Sequence, residues 1–164
     1  IAGSNNSIGG SASAAGNTIA NNLAGGILVQ SGSGDKLSHN LIYTNGSSQQ
    51  GPGIVVDSGA NNNLAAPVLS TATYNSTTQM LTVTGKFTAP TGSVPYVLEF
   101  FANPTGDPEG QVFLGRIVVT PKAAGTRSFT FKVTTSVVVS DPLITATLTD
   151  ATGDTSAFSV GVLS

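Results

Sequence analysis

The chain has 164 residues, room for one ordinary domain or two small ones, and a hydrophobic content of 39% that suits a packed protein rather than a disordered one. Only 9% of residues are charged and the net charge is −2, so six Lys+Arg leave no electrostatic footprint for nucleic acid. No apolar run approaches the roughly 18 residues of a membrane span. The absence of cysteine excludes disulfides, thiolate zinc sites and cysteine nucleophiles. One His and no Trp leave few groups for acid–base chemistry. The opening IAGSNNSIGG has neither the basic nor the apolar region of a signal peptide, and reads as a mature piece or a fragment of a longer chain. Low charge with abundant Ser, Thr, Asn and Gly associates with an extracellular or bacterial cell-surface location.

Composition divides the chain near Leu64. Residues 1–64 hold 10 of the 12 Asn and no Phe, whereas residues 65–164 hold all 7 Phe and 7 of the 8 Pro, which marks a domain boundary. The first half carries a degenerate repeat. Asn6-Ser7-Ile8 aligns with Asp35-Lys36-Leu37 and Asn62-Asn63-Leu64. Ile19-Ala20-Asn21-Asn22 aligns with Ile42-Tyr43-Thr44-Asn45, and Gly26-Ile27-Leu28-Val29 with Gly53-Ile54-Val55-Val56. Three short apolar strands per turn, recurring in the same order, have the rhythm of a parallel β-helix of about two coils. Each coil cannot bury its inward face alone, so stacked coils share one core.

The polar positions keep the same offsets. Asn6, Asp35 and Asn62 each precede an apolar residue by two places, and Asn22 and Asn45 each follow one by three. Stacked strands lie about 4.8 Å apart, so equivalent amides form hydrogen-bonded columns along the stack. The structural ladder expected is therefore Asn6, Asp35, Asn62, Asn22 and Asn45. Asp35 accepts within it but cannot donate.

The second half reads as seven alternating strands, at 67–74, 80–88, 96–103, 111–120, 127–134, 143–150 and 157–163. Turns rich in Pro, Gly and Asp separate them. The face Tyr96-Leu98-Phe100 is apolar, with Glu99 opposite. Seven short strands in about 100 residues point to an immunoglobulin-like sandwich, with the phenylalanines in its two-sheet core.

The segments Ser4-Asn5-Asn6-Ser7-Ile8-Gly9-Gly10 and Ala15-Gly16-Asn17-Thr18-Ile19-Ala20-Asn21-Asn22 resemble the Asn/Gly-rich right-handed parallel β-helix repeats of large bacterial secreted and surface proteins. The segments 96–103, 109–115 and 144–150 resemble the Ig-like module that often follows such repeats. The resemblance implies a C-terminal piece, all-β, with residues 1–64 as β-helix coils and residues 65–164 as a terminal sandwich.

It implies a non-enzymatic structural or adhesive module, the coils serving as stalk and the sandwich as cap or adhesive tip. The partner would be a surface glycan or another protein chain. Two other readings stand beside it. A carbohydrate-binding or pectate-lyase-like processing protein uses the same coil. An extracellular filament subunit would self-associate through its open N-terminal coil.

A lyase of that kind needs carboxylates on adjacent coils and a base. The first half offers only Asp35, Lys36, His39 and Asp57, of which no two carboxylates are expected to meet, and His39 reads as a loop or surface residue. Glu99, Asp107 and Glu109, and the pair Asp150 and Asp154, read as turn chemistry rather than calcium sites. No catalytic residue, cofactor or metal is assigned.

Overall fold

A computed structural model describes residues 1–12, 14–46, 51–136 and 142–164. The chain is all-β. Its first half contains six three-residue strands: β1 (Ser7–Gly9), β2 (Thr18–Ala20), β3 (Ile27–Val29), β4 (Lys36–Ser38), β5 (Leu41–Tyr43) and β6 (Ile54–Val56). They pair in parallel as β1–β4, β2–β5 and β3–β6, with Ile8 opposite Leu37, Ile19 opposite Ile42 and Ile27 opposite Ile54. These are the pairs that the repeat aligns. Apolar residues of both layers point to a common interior, Ile27 and Val29 from β3 and Leu37, Ile42 and Ile54 from β4, β5 and β6, joined by Ala60, against which Ile8 and Ile19 are partly buried.

Strands this short need sharp bends between them, and the bends use left-handed backbone. Asn21, His39 and Thr44 all have φ between 51° and 60°, a region that Asn, Asp and His enter more readily than other side chains. At Gly16 a Cβ would lie on the His39 carbonyl oxygen, so only glycine lets the first layer approach the second there.

The third layer of the repeat does not form as the alignment expects. Residues Ala60–Asn63 make a 3-10 turn in which Asn61, Asn62 and Asn63 all have positive φ. Leu64 leaves the first core and joins the second.

The second half contains β7 (Val68–Asn75), β8 (Met80–Ala89), β9 (Tyr96–Asn103), β10 (Val112–Val119), β11 (Gly125–Thr134), β12 (Leu143–Thr149) and β13 (Val162–Leu163). They form two antiparallel sheets, in the orders β11-β8-β7 and β10-β9-β12-β13. Between the sheets lies one apolar core, with Leu81, Val83, Phe87, Phe129 and Phe131 on one side and Leu98, Phe100, Ile144, Ala146 and Leu148 on the other. Phe100 is fully buried, stacked on Phe131 at 4.2 Å and edge-on to Phe129 at 5.7 Å.

The last sequence-predicted strand is shortened. Across from β12, Ser156 and Ser159 donate their main-chain N–H to Leu148 and Ala146, while their hydroxyls accept from the N–H of the same two residues. Side chains thus replace half of a ladder that regular backbone would make.

Strands β9 and β12 are buried on both faces. Their second face carries Glu99, Phe101, Asn103, Thr145, Thr147 and Thr149, all buried. That polar alternation, which a half-solvated antiparallel strand also shows, here faces the parallel-strand half. The phenylalanines divide accordingly. Phe87, Phe100, Phe129 and Phe131 fill the two-sheet core, whereas Phe101, Phe113 and Phe158 pack edge-to-face in a chain at the junction. The expectation of all seven in one core is corrected by this second buried face.

Truncating Phe100 to Ala leaves a hole between two rings and should cost about 3–5 kcal/mol. Chemical denaturation of the variant reads it, and a cost under about 1 kcal/mol would contradict the packing described.

Candidate functional site

The junction between the halves is the most heavily hydrogen-bonded polar region of the molecule, and it begins with the asparagine columns. The main-chain N–H and Nδ2 of Asn22 both donate to Asn45 Oδ1, at 3.1 and 2.9 Å. Asn6 donates in the same two ways to Asp35 Oδ1, at 2.9 and 2.7 Å. A further column, Asn17 over Asn40, repeats the motif at 3.1 and 3.0 Å. It lies at the same 23-residue offset as Asn22 and Asn45, a signal that the sequence holds and the offset reading passed over. First-layer members Asn6, Asn17 and Asn22 are exposed, and second-layer members Asp35, Asn40 and Asn45 are buried.

Asn62 does not stand in the column assigned to it. The residue beneath Asp35 is Asn61, whose Oδ1 accepts from the Asp35 N–H at 3.1 Å and whose Nδ2 donates to the Asp35 and Thr155 carbonyls. Asn62 is exposed and donates instead to Asp154 Oδ2 at 2.7 Å. The alignment was one residue out because it was anchored on Leu64, which packs elsewhere.

Beyond the second layer, the columns and strand edges end on the second half. Asn45 donates its N–H and Nδ2 to Glu109 Oε2, at 3.2 and 3.3 Å, the geometry that Asn22 uses on Asn45. Glu109 thus stands where a further asparagine would. Thr44 N–H goes to Asp107 Oδ2, Gly34 N–H to Asp154 Oδ1, Leu37 N–H to Thr155 Oγ1 and His39 N–H to Glu99 Oε2. Ile42 and Gly110 exchange two backbone bonds as an antiparallel bridge. The carboxylates expected to serve in turns are therefore acceptors for another element's backbone. Asp150 alone keeps a turn role, accepting from Thr152 and Asp154 N–H.

His39 is buried at 8% exposure, not a surface residue. Its Nδ1 lies 3.1 Å from Glu99 Oε1, and its ring packs 4.2 Å from that of Phe113. Its partner lies 60 residues away in sequence, where no local pattern reveals it. Of the other polar residues of the first half, Lys36 is exposed and Asp57 half-buried.

Two carboxyl groups meet. Asp107 lies near enough to Glu109 to act on it, and the atoms Glu109 Oε1 and Asp107 Oδ1 are both buried without a hydrogen-bond partner. Burial pushes the Glu109 carboxyl above its ordinary value. The negative charge of Asp107 adds to that push, and the N–H of Asn45 works against it. Among the described residues no group of three or more His, Cys, Asp or Glu is placed to hold a metal ion.

Comparison with protein-family models and with curated proteins finds no match to this chain.

Two predictions follow from the column and the acid pair. Asn61→Leu strips the buried Asp35 N–H and two carbonyls of their partners and should destabilise the fold by about 1–3 kcal/mol. Exposed Asn62→Leu should cost less, and thermal melting of the two variants separates them; equal losses would contradict the assignment.

Glu109 binds its proton more tightly folded than unfolded. Its stabilising contribution is complete in acid and is lost as pH rises through its raised folded value. Glu109→Gln accepts from Asn45 and carries no charge beside Asp107, so it should raise the melting temperature at neutral pH and flatten its pH dependence. A variant with unchanged slope would count against the raised value of Glu109.

Proposed function

We propose that this chain is a non-enzymatic structural and adhesive module of an extracellular or bacterial cell-surface protein. In this reading residues 1–64 are coils of a short right-handed parallel β-helix and serve as stalk. Residues 65–164 are an immunoglobulin-like sandwich that caps the coils and offers the surface that adheres.

One observation carries the reading: the N–H groups on the outer edge of the second layer are met by side chains of the second half, with Asp154, Thr155, Glu99, Asp107 and Glu109 in the places that another coil would fill. Uncapped solenoid ends associate, and natural repeat proteins cover them. The first layer presents the opposite case. Among the described residues β1 and β2 each pair with a single strand, whereas the edge of β3 is met by Ile1 and Ala2, and Leu23 is 83% exposed. An edge of this kind suits stacking on a further coil, which is what a stalk requires.

The processing alternative finds less support, because the acids nearest the coils are spent on backbone N–H groups and the basic residue among them, Lys36, is solvated.

Segment-resolved hydrogen exchange tests the cap. Amides of Lys36–Ser38 and Leu41–Tyr43 should exchange more slowly than those of Ser7–Gly9 and Thr18–Ala20. Glu99→Ala and Asp154→Ala, in separate chains, should speed exchange in β4, while Asp57→Ala leaves it unchanged. Protection in β4 that survives both cap substitutions would remove the basis of the reading.

A further inference from the structure

Beside the junction lies an open cleft of about 390 Å³, lined by Asn17, Thr18, Leu41 and the His39 ring on one side and by Gln111 and Phe113 on the other. That volume falls in the range of small-ligand sites, about 300–1,000 Å³. His39 is the one ionisable side chain in its lining.

Hydrogen bonds hold that ring from behind. Ser38 Oγ donates its single proton to Glu99 Oε1 at 2.6 Å. Both neighbours of His39 Nδ1, the Glu99 carboxylate at 3.1 Å and Ser38 Oγ at 3.2 Å, are therefore acceptors. Nδ1 is therefore the donor to them, the tautomer that in the neutral ring leaves the lone pair on Nε2. His39 lines the cleft, and its Nε2 has no hydrogen-bond partner among the described residues. The ring cannot swing away, because Phe113 packs against its face and the His39 N–H is tied to Glu99 Oε2.

Around this acceptor the cleft offers amides, a hydroxyl and apolar surface. Asn17 spends its Nδ2 on Asn40, which leaves its Oδ1 outward. The Gln111 carboxamide has no partner among the described residues, while its main-chain N–H is held by Asn103. Leu41 and Phe113 supply apolar walls. A phosphate or carboxylate would find no Lys or Arg in this lining, and a metal ion would find one ligand. A ring of alternating hydroxyl and C–H groups matches all three kinds of surface.

We propose that this cleft is a subsite for a neutral saccharide unit. His39 Nε2 accepts a sugar hydroxyl proton, Gln111 and Asn17 bond the neighbouring hydroxyls, and the sugar's C–H face rests on Leu41 and Phe113. Glu99 and Ser38 are positioning residues that hold the ring in its accepting tautomer. The subsite would give the adhesive surface a ligand class. It does not depend on the capping role, which is read by exchange without any sugar present.

The test is an NMR titration of the 15N-labelled chain with cellotetraose, maltotetraose, laminaritetraose, xylotetraose and tetragalacturonate. Imidazole 15N spectra follow His39, and side-chain amide spectra follow Gln111. At least one neutral tetrasaccharide should give saturable shifts of His39 Nε2 and the Gln111 amide. Two variants should each weaken that affinity by about tenfold, the loss of one good hydrogen bond. His39→Asn keeps a residue tolerant of left-handed backbone. Gln111→Ala removes a side chain without a protein partner and should leave the melting temperature unchanged, which separates lost binding from lost fold. No saturable shift with any neutral sugar, tighter binding of tetragalacturonate than of every neutral sugar, or full affinity in Gln111→Ala would each overturn the proposal.

Discussion

A stack of parallel strands ends in a row of backbone N–H groups that must find acceptors, and the second half of this molecule is organised around supplying them. A buried N–H left without a partner costs about 1–3 kcal/mol. The second layer turns several such groups in one direction, from Gly34, Leu37, His39, Thr44 and Asn45. A carboxylate is the most economical cap because each oxygen can accept more than one N–H and the bonds are charge-assisted. Glu109 Oε2 takes two from Asn45, and Glu99 divides its oxygens between the Ser38 hydroxyl and the His39 N–H. The scarcity of charge in the sequence makes this placement informative. Much of the chain's acidity is buried at one interface.

That demand also shapes the second half from inside. A sandwich sheet ordinarily keeps one face for the core and one for water. Here β9 and β12 serve two interiors at once, with Leu98 and Phe100 turned to the opposing sheet and Glu99 and Phe101 turned to the parallel-strand half. Buried threonines make this second face workable, because a hydroxyl can accept from one side and donate to the other. Thr145 does so, accepting from Asn103 Nδ2 and donating to the Glu109 carbonyl. That chain of bonds fixes the loop that carries Glu109, and so links the sheet register to the capping of Asn45.

What the sequence makes legible follows from the range of each interaction. The pairings of β1–β4, β2–β5 and β3–β6 are readable because burial forces Ile, Leu and Val to recur at matching places, and the Asn22–Asn45 column is readable from the same recurrence. The strands of the second half are readable from alternation and turn residues, each within a few residues of its observed limits except the last. The error at Asn62 has a local cause. Three consecutive asparagines offer three equivalent choices, and only the left-handed turn at Ala60–Asn63 selects Asn61. His39 and the capping acids were not legible at all, because Glu99 lies 60 residues from His39 and Asp154 lies 120 from Gly34. A carboxylate in a Pro- and Gly-rich turn has the same local sequence whether it closes its own turn or reaches another element's edge.

The direction of the columns explains why the cap is acidic rather than basic. In Asn6, Asn17 and Asn22 the main-chain N–H and one carboxamide N–H run toward the following layer, where an Oδ1 receives both. The column therefore has polarity. Its C-terminal end presents the paired donors of Asn45 to Glu109, while the carboxamides of Asn40 and Asn45 also donate backward to the Ile8 and Ile19 carbonyls. A lysine or arginine set against the donors would leave them unpaired and add like-signed dipoles, whereas a glutamate continues the pattern, as Glu109 does beneath Asn45.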